Sequence, residues 1–313
     1  MIYQSLFSNS SATDRTYINL RSKQTERQKE LHDYCEGLWN KYKDFSDTNF
    51  VTEIARDFQP RFWEMYLTVS LIDMGFKVEC PKPGPDVGIV LDNKTIWFEA
   101  TCPTRGAAGN PNQVPAIRYD GTVQCEPNEK MVLRYLNSIN EKYQRQYQSW
   151  ISQKFISQDD PYIIAINPML LDFDIADSTP PRILQAVFPL GDLYVEFDQE
   201  NLEPINQGFQ HRSGLSKANS SNVKTGIFLD DEFNQLSAVL CSRTSVIHHP
   251  DKAGDDFQLV SNPLAKNSLP RDFKLRGTHF YTQLDQDEYE IKREIHKLSS
   301  EEKTFNLNDK RDC

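Results

Sequence analysis

From Pro60 to Gly75 apolar residues fall at Phe62/Trp63, Tyr66/Leu67, Leu71 and Met74, with Pro in the first turn and Gly at the end. That 3.6-residue period predicts a helix, with Glu64 on the edge of its apolar stripe. The period then drops to two. Phe76–Cys80, Asp86–Leu91 and Thr95–Thr101 read as a three-strand meander, broken by Lys82-Pro83-Gly84-Pro85 and turned by Asp92-Asn93-Lys94. Side chains alternate across a strand, so Trp97, Glu99 and Thr101 share one face while Ile96, Phe98 and Ala100 share the other. A second long helix is predicted from Asn128 to about Phe155, with Val132, Leu136, Ile139, Tyr143, Tyr147, Trp150 and Ile151 at helical spacing. Asp160–Pro168 is a short apolar run bounded by prolines, the pattern of a buried strand.

The flanks divide the chain further. Residues 1–58 read as an N-terminal helical extension that packs on the core and offers a candidate homodimer surface, with Ser46-Asp47-Thr48 as N-caps before Phe50, Ile54 and Phe58. Residues 59–182 form the central unit. Strand signals at Asp192–Phe197, Thr225–Leu229, Leu236–Cys241 and Phe257–Val260 make 183–284 a β-rich elaboration of the sheet or a small second layer. In 285–313 charges alternate in sign, and Glu288…Lys292 and Arg293…Lys297 fit a charged helical tail. The fold class predicted is α/β, built on a mixed central sheet.

Composition narrows the chemistry. The 313 residues carry a net charge of −10, and no apolar run is long enough to span a bilayer, which predicts a cytoplasmic protein without membrane contact. The opening Met1–Leu6 does not read as a secretory signal. Six dispersed cysteines without a CxxC pair read as reduced thiols, and His248-His249 has the spacing of an incidental loop pair. No phosphate-binding glycine loop of either common type is present. Against the acidic whole, residues 129–154 hold five basic side chains and two acidic ones.

Two acids stand out. Asp86 follows Pro85, and Glu99 lies on the next strand between Phe98 and Ala100. A carboxylate in apolar company is costly to bury unless a cation meets it, and two carboxylates converging across a hairpin favour a divalent ion. Hard oxygen ligands suit Mg²⁺ or Mn²⁺. Glu64, on the preceding helix, is a third candidate ligand. On the following helix Arg134, Ser138 and Lys142 form one line at i, i+4 and i+8, a basic edge able to face the acids.

The order helix, three strands, helix, strand, with Pro85-Asp86 and Glu99 on the second and third strands, resembles the PD-(D/E)xK superfamily and its restriction-endonuclease-like core. The resemblance covers about residues 55 to 170. It implies a metal-dependent endonuclease acting on nucleic acid, DNA ahead of RNA, with Asp86, Glu99 and Glu64 holding Mg²⁺ or Mn²⁺. One position departs: Thr101 stands where the family has its lysine, the residue that positions the attacking water and stabilises developing charge. Either another basic residue replaces it or the site is inactive. Some branches carry the lysine on the following helix, which implies Lys142 here, with Arg134, Thr101 and Arg105 of the Gly/Pro-rich 102–127 loop as substrate contacts. The alternative expectation is a nuclease-like protein that binds nucleic acid or a protein partner without cutting.

Overall fold

A computed structural model describes residues 5–91, 94–173, 176–218, 221–285 and 288–297. Four helices open the chain: α1 (Arg15–Ser22), α2 (Glu26–Tyr42), α3 (Phe50–Ile54) and α4 (Phe58–Asp73). Thr25 and Gln28 close a capping box at the start of α2, each satisfying a backbone N–H that the helix leaves free. Asp14 serves two helices: Oδ1 accepts from Thr16 and Tyr17 at the start of α1, and Oδ2 accepts from Phe58 N–H at the start of α4. The short helix from Phe50 and the helix ending at Gly75 arise as expected, Gly75 taking a left-handed φ of 82°. The amphipathic stripe expected for α4 is instead a helix buried almost all round, from Phe62 through Leu71.

Strands β1 (Val78–Glu79), β2 (Val87–Leu91) and β3 (Lys94–Thr101) make the expected meander. Helix α5 (Asn128–Glu141) runs into a π-helical segment, Lys142–Tyr147, and then α6 (Gln148–Ser152). β4 (Tyr162–Ile166) returns parallel to β3. After α7 (Arg182–Val187) come a separate ribbon, β5 (Leu190–Phe197) with β6 (Pro204–His211), and a second small pair, β7 (Gly214–Ser216) with β8 (Asn222–Lys224). β9 (Ala238–Cys241), β10 (Gln258–Ser261), β11 (Gly277–Asp285) and β12 (Glu288–His296) complete an eight-stranded mixed sheet in the order β1-β2-β3-β4-β9-β10-β11-β12.

Alternation along the central strands separates two cores. Ile96, Phe98, Ile163, Ala165, Ala238 and Leu240 face the layer formed by α1–α4. Trp97, Tyr162, Ile164, Ile166 and Val239 face α5 and α7. Burying both faces of β4 explains its unbroken apolar sequence.

Two expectations fail for identifiable reasons. Thr225–Leu229 is not a strand: Gly226 adopts φ 73° and Ile227–Leu229 coil into a 3₁₀ turn. The helical tail expected from 285 is a β-strand over Glu288–His296, hydrogen-bonded along its length to β11. Charges spaced by four fit a strand as well as a helix, and the period-two pair Tyr289 and Ile291, packed against the second core, decides between them. The rest of that expected tail, 298–313, lies outside the described residues.

Candidate active site

Asp86 immediately precedes β2, whose register sets Val87 opposite Phe98; one residue further along, Asp86 stands across from Glu99. Its Oδ2 accepts the Ala100 N–H at 2.7 Å, which fixes the carboxyl against the end of β3. Glu99, 3% exposed, points into the second core and meets three donors. Lys142 Nζ lies 2.7 Å from Oε1, Trp150 Nε1 lies 3.1 Å from Oε2, and the Tyr162 hydroxyl lies 3.4 Å from Oε2. Lys142 is the first residue of the π-helical segment, where the widened turn resets the angular positions of the side chains that follow.

Glu64 arrives from the other side on α4, equally buried. The Tyr42 hydroxyl donates to Oε1 at 2.8 Å, Arg61 donates to Oε2 at 2.6 Å, and Lys82 Nζ lies 3.6 Å from Oε1. Arg61 also pairs with Glu53. Between these groups opens a cavity of about 270 Å³, walled in part by Asp57, Arg61, Glu64, Asp86, Thr101 and Lys142. Glu99 sits behind that wall, tied to it through Lys142. The cavity lies at the carboxyl end of β3, where Thr101 O accepts from Asn167 N–H beyond the parallel end of β4.

Glu64, Asp86 and Glu99 meet three cations, Asp57 adds a fourth carboxylate to the wall, and the balance is uneven. Arg61 and Lys82 attend Glu64, Lys142 attends Glu99, and Asp86 has only a backbone N–H of its own. Burial, then the Glu99 and Glu64 carboxylates, push the Asp86 carboxyl up to about 8, against the opposing pull of Lys142 and the Ala100 N–H. For Lys142 burial works against the charged form, but the Glu99 and Asp86 carboxylates outweigh it and raise its pKa. Burial, followed by the Glu64 carboxylate, holds the Tyr42 phenol well above its ordinary range, so it stays a donor.

Of the residues singled out from sequence, Glu64, Asp86, Thr101 and Lys142 line one cavity, and Glu99 lies behind its wall in contact with Lys142. Arg134 and Arg105 are elsewhere. Arg134 Nε donates to Thr104 O at 2.6 Å and its guanidinium covers Gly106. Arg105 donates from Nε to Val114 O and pairs with Asp172 at 3.1 Å. Both fasten the 102–127 loop to the body, because a long loop must find donors for carbonyls it removes from water. The basic line expected on α5 therefore splits, Lys142 reaching the acids and Arg134 the loop. Cys102 lines the cavity with its thiol pushed up by burial, and His249 stacks on Tyr34 at 4.0 Å.

Sequence reasoning missed Tyr42, Arg61, Lys82, Trp150 and Tyr162. Arg61 had a local signal, standing three residues before Glu64 on one helix. The others come from distant elements and meet the acids only through the tertiary fold. Among the described residues no group of three or more His, Cys, Asp and Glu side chains is gathered to hold a metal ion. Glu64 and Glu99 turn to their own donors instead.

No family model matches the chain, and no solved structure matches it. The chain is similar to a large ribosomal subunit protein, eL22x, of Arabidopsis thaliana, 24% identical over 106 residues that make up 33% of this chain and 83% of that protein. Among the described residues no helix is long and apolar enough to cross a membrane.

Proposed function

We propose that the cavity between α4, β2, β3 and the α5 junction is the active site of a metal-dependent phosphodiesterase acting on nucleic acid. The observation that carries this reading is the 2.7 Å contact of Lys142 with Glu99 beside Asp86 and Glu64, which supplies a cation to a site whose strand has Thr101 instead. The donor set suits Mg²⁺ or Mn²⁺: hard oxygens, with Asp86 and Glu64 on the cavity wall and the Asp86 carboxyl raised by burial and then by the Glu99 and Glu64 charges. Asp86 and Glu64 would hold the ion with Glu99 in support, once Arg61 and Lys82 step off Glu64. A bound Mg²⁺ supplies Lewis acidity to the phosphate and a more acidic water.

The chain's own groups do the rest. Lys142, held charged between Glu99 and Asp86, orients a water or neutralises charge on the phosphate in the transition state. Trp150 and Tyr162 hold Glu99 so that Lys142 keeps one position. Arg61 and Lys82, released from Glu64, would meet non-bridging oxygens, while Thr101 offers a hydroxyl to the water. With net charge −10 nothing steers a polyanion toward the molecule at long range, so these cations at the cavity mouth must bind it.

DNA stands ahead of RNA by the sequence resemblance, and the likeness to a ribosomal protein makes RNA the second polymer to test. Five free thiols among the described residues suit a reducing compartment, and we place the protein in the cytoplasm. One observation favours a second reading, a nuclease-like binder that does not cut: both oxygens of Glu64 and of Glu99 already have donors. Cleavage of DNA and RNA with Mg²⁺ or Mn²⁺, by the wild type and by Asp86→Asn and Glu99→Gln, decides. Cleavage that needs the ion and is lost in both variants supports the active site. Cleavage that survives both ends that reading, and nucleic-acid binding without any cleavage leaves the binder.

A further inference from the structure

A second pocket lies at the far edge of the sheet. The face covered by α1–α4 is apolar as far as Leu259 on β10, and beyond it turns polar. His279 on β11 is in register with Leu259 on one side and with Glu294 of β12 on the other. With Tyr281, His296 and the 269–274 segment these residues enclose about 460 Å³, more room than the acidic cavity and within the range of small-ligand sites.

The charges around it are arranged to receive an anion. Arg271 and Lys274 line the pocket, both exposed, and neither is ion-paired among the described residues. The His279 and His296 rings meet edge to face, 4.7 Å between centroids. His279 Nε2 accepts the Leu275 N–H at 3.3 Å, so its neutral ring carries the proton on Nδ1. Burial, and then the neighbouring charge of His296, push His279 down to about 4; burial and Lys274 lower His296. The opposing group is Glu294, 3.6 Å from His296 and hydrogen-bonded to the Tyr281 hydroxyl.

We propose that this pocket binds a nucleoside phosphate. Arg271 and Lys274 take the phosphate oxygens, the Tyr281 and His279 rings flank the nucleoside, and Glu294 accepts from its hydroxyl or amino groups. A bare phosphate would use the cations and leave Glu294 repelling it; the carboxylate and aromatic rings suit a ligand with donors and a flat apolar face. The nucleoside phosphate is either free or the phosphorylated end of a strand, since both present the same atoms.

The test is calorimetric titration of the full chain with AMP, inorganic phosphate, and a short oligonucleotide with and without a 5′-phosphate. AMP should bind more tightly than phosphate, at least tenfold more weakly to Arg271→Ala/Lys274→Ala, and with unchanged affinity to Asp86→Asn. Tyr281→Ala should weaken AMP and leave phosphate binding as it was. A 5′-phosphorylated strand binding more tightly than AMP identifies the strand end as the ligand, and the reverse identifies the free nucleotide. Equal affinity for AMP and phosphate, unchanged AMP binding in the double variant, or no heat from AMP at millimolar concentration overturns the proposal.

Discussion

Lys142 Nζ lies 2.7 Å from Glu99 Oε1, and the two residues are 43 apart in the chain. The pair is part-buried, so removing the cation leaves a carboxylate in the second core with only the Trp150 and Tyr162 donors. Lys142→Met should therefore cost about 2–4 kcal/mol of stability, read from denaturant unfolding. In the proposed chemistry it should also slow phosphodiester cleavage by about 10² or more. Wild-type stability in Lys142→Met would mean that the contact is not populated.

Asp86 gives a pH dependence of definite sign. Its carboxyl, ordinarily at 3.8, is raised to about 8 in the folded protein. Between those values the folded state binds the proton that the unfolded state has lost, so stability falls as pH rises from about 4 to about 8, by up to about 1.4 kcal/mol per unit. Asp86→Asn keeps an oxygen for the Ala100 N–H and should flatten this segment of the profile, gaining stability over the wild type at pH 8. Urea midpoints at several pH values measure it.

In the proposed site the same proton would compete with a metal ion. Mn²⁺ affinity should rise with pH up to about 8 and then level, with proton release on binding. Titrations in buffers of different ionisation enthalpy count the protons, and a pH-independent affinity would remove Asp86 from the ligand set.

Arg61 should oppose that ion, since its 2.6 Å pairing with Glu64 occupies an oxygen that the proposed metal would use. Arg61→Gln is expected to tighten Mn²⁺ by about threefold to tenfold, a difference of about 1 kcal/mol. Weaker binding in this variant would show that Arg61 holds Glu64 in position for the ion and does not compete with it.

Gly277 opens β11 at φ 97°, and a Cβ there would stand 2.2 Å from the Phe257 carbonyl oxygen, the acceptor for Thr278 N–H. Gly277→Ala should cost about 2–4 kcal/mol by thermal or chemical unfolding.

Period-two alternation was enough to sort β3: Ile96 and Phe98 fall in one core and Trp97 in the other, with Glu99 on the Trp97 side as expected. Helical spacing, which holds along α5 as far as Lys142, turns that residue toward Glu99. What followed was not readable. The π-helical turn begins at Lys142, and no periodic pattern announces that change of pitch; within it Tyr143 and Gln144 donate to Glu232. A cation near an acidic motif suggests a phosphate contact, whereas the loop's own carbonyls take Arg134 and Arg105. The β12 strand was hidden because charge pairs spaced by four fit both kinds of element.

Tyr42 stands on α2, sixteen residues before the point where the sequence pattern suggests that an N-terminal extension gives way to the central unit, yet its hydroxyl is 2.8 Å from Glu64 Oε1. That hydrogen bond therefore crosses the expected boundary. A fragment beginning at residue 59 would strip the apolar flank of α4 and leave Glu64 one donor short, so the acidic site would lose its shape before it lost any of its three acids. The helical opening of the chain thus braces Glu64 from behind, and loss of that brace should show as a change in the Glu64 environment.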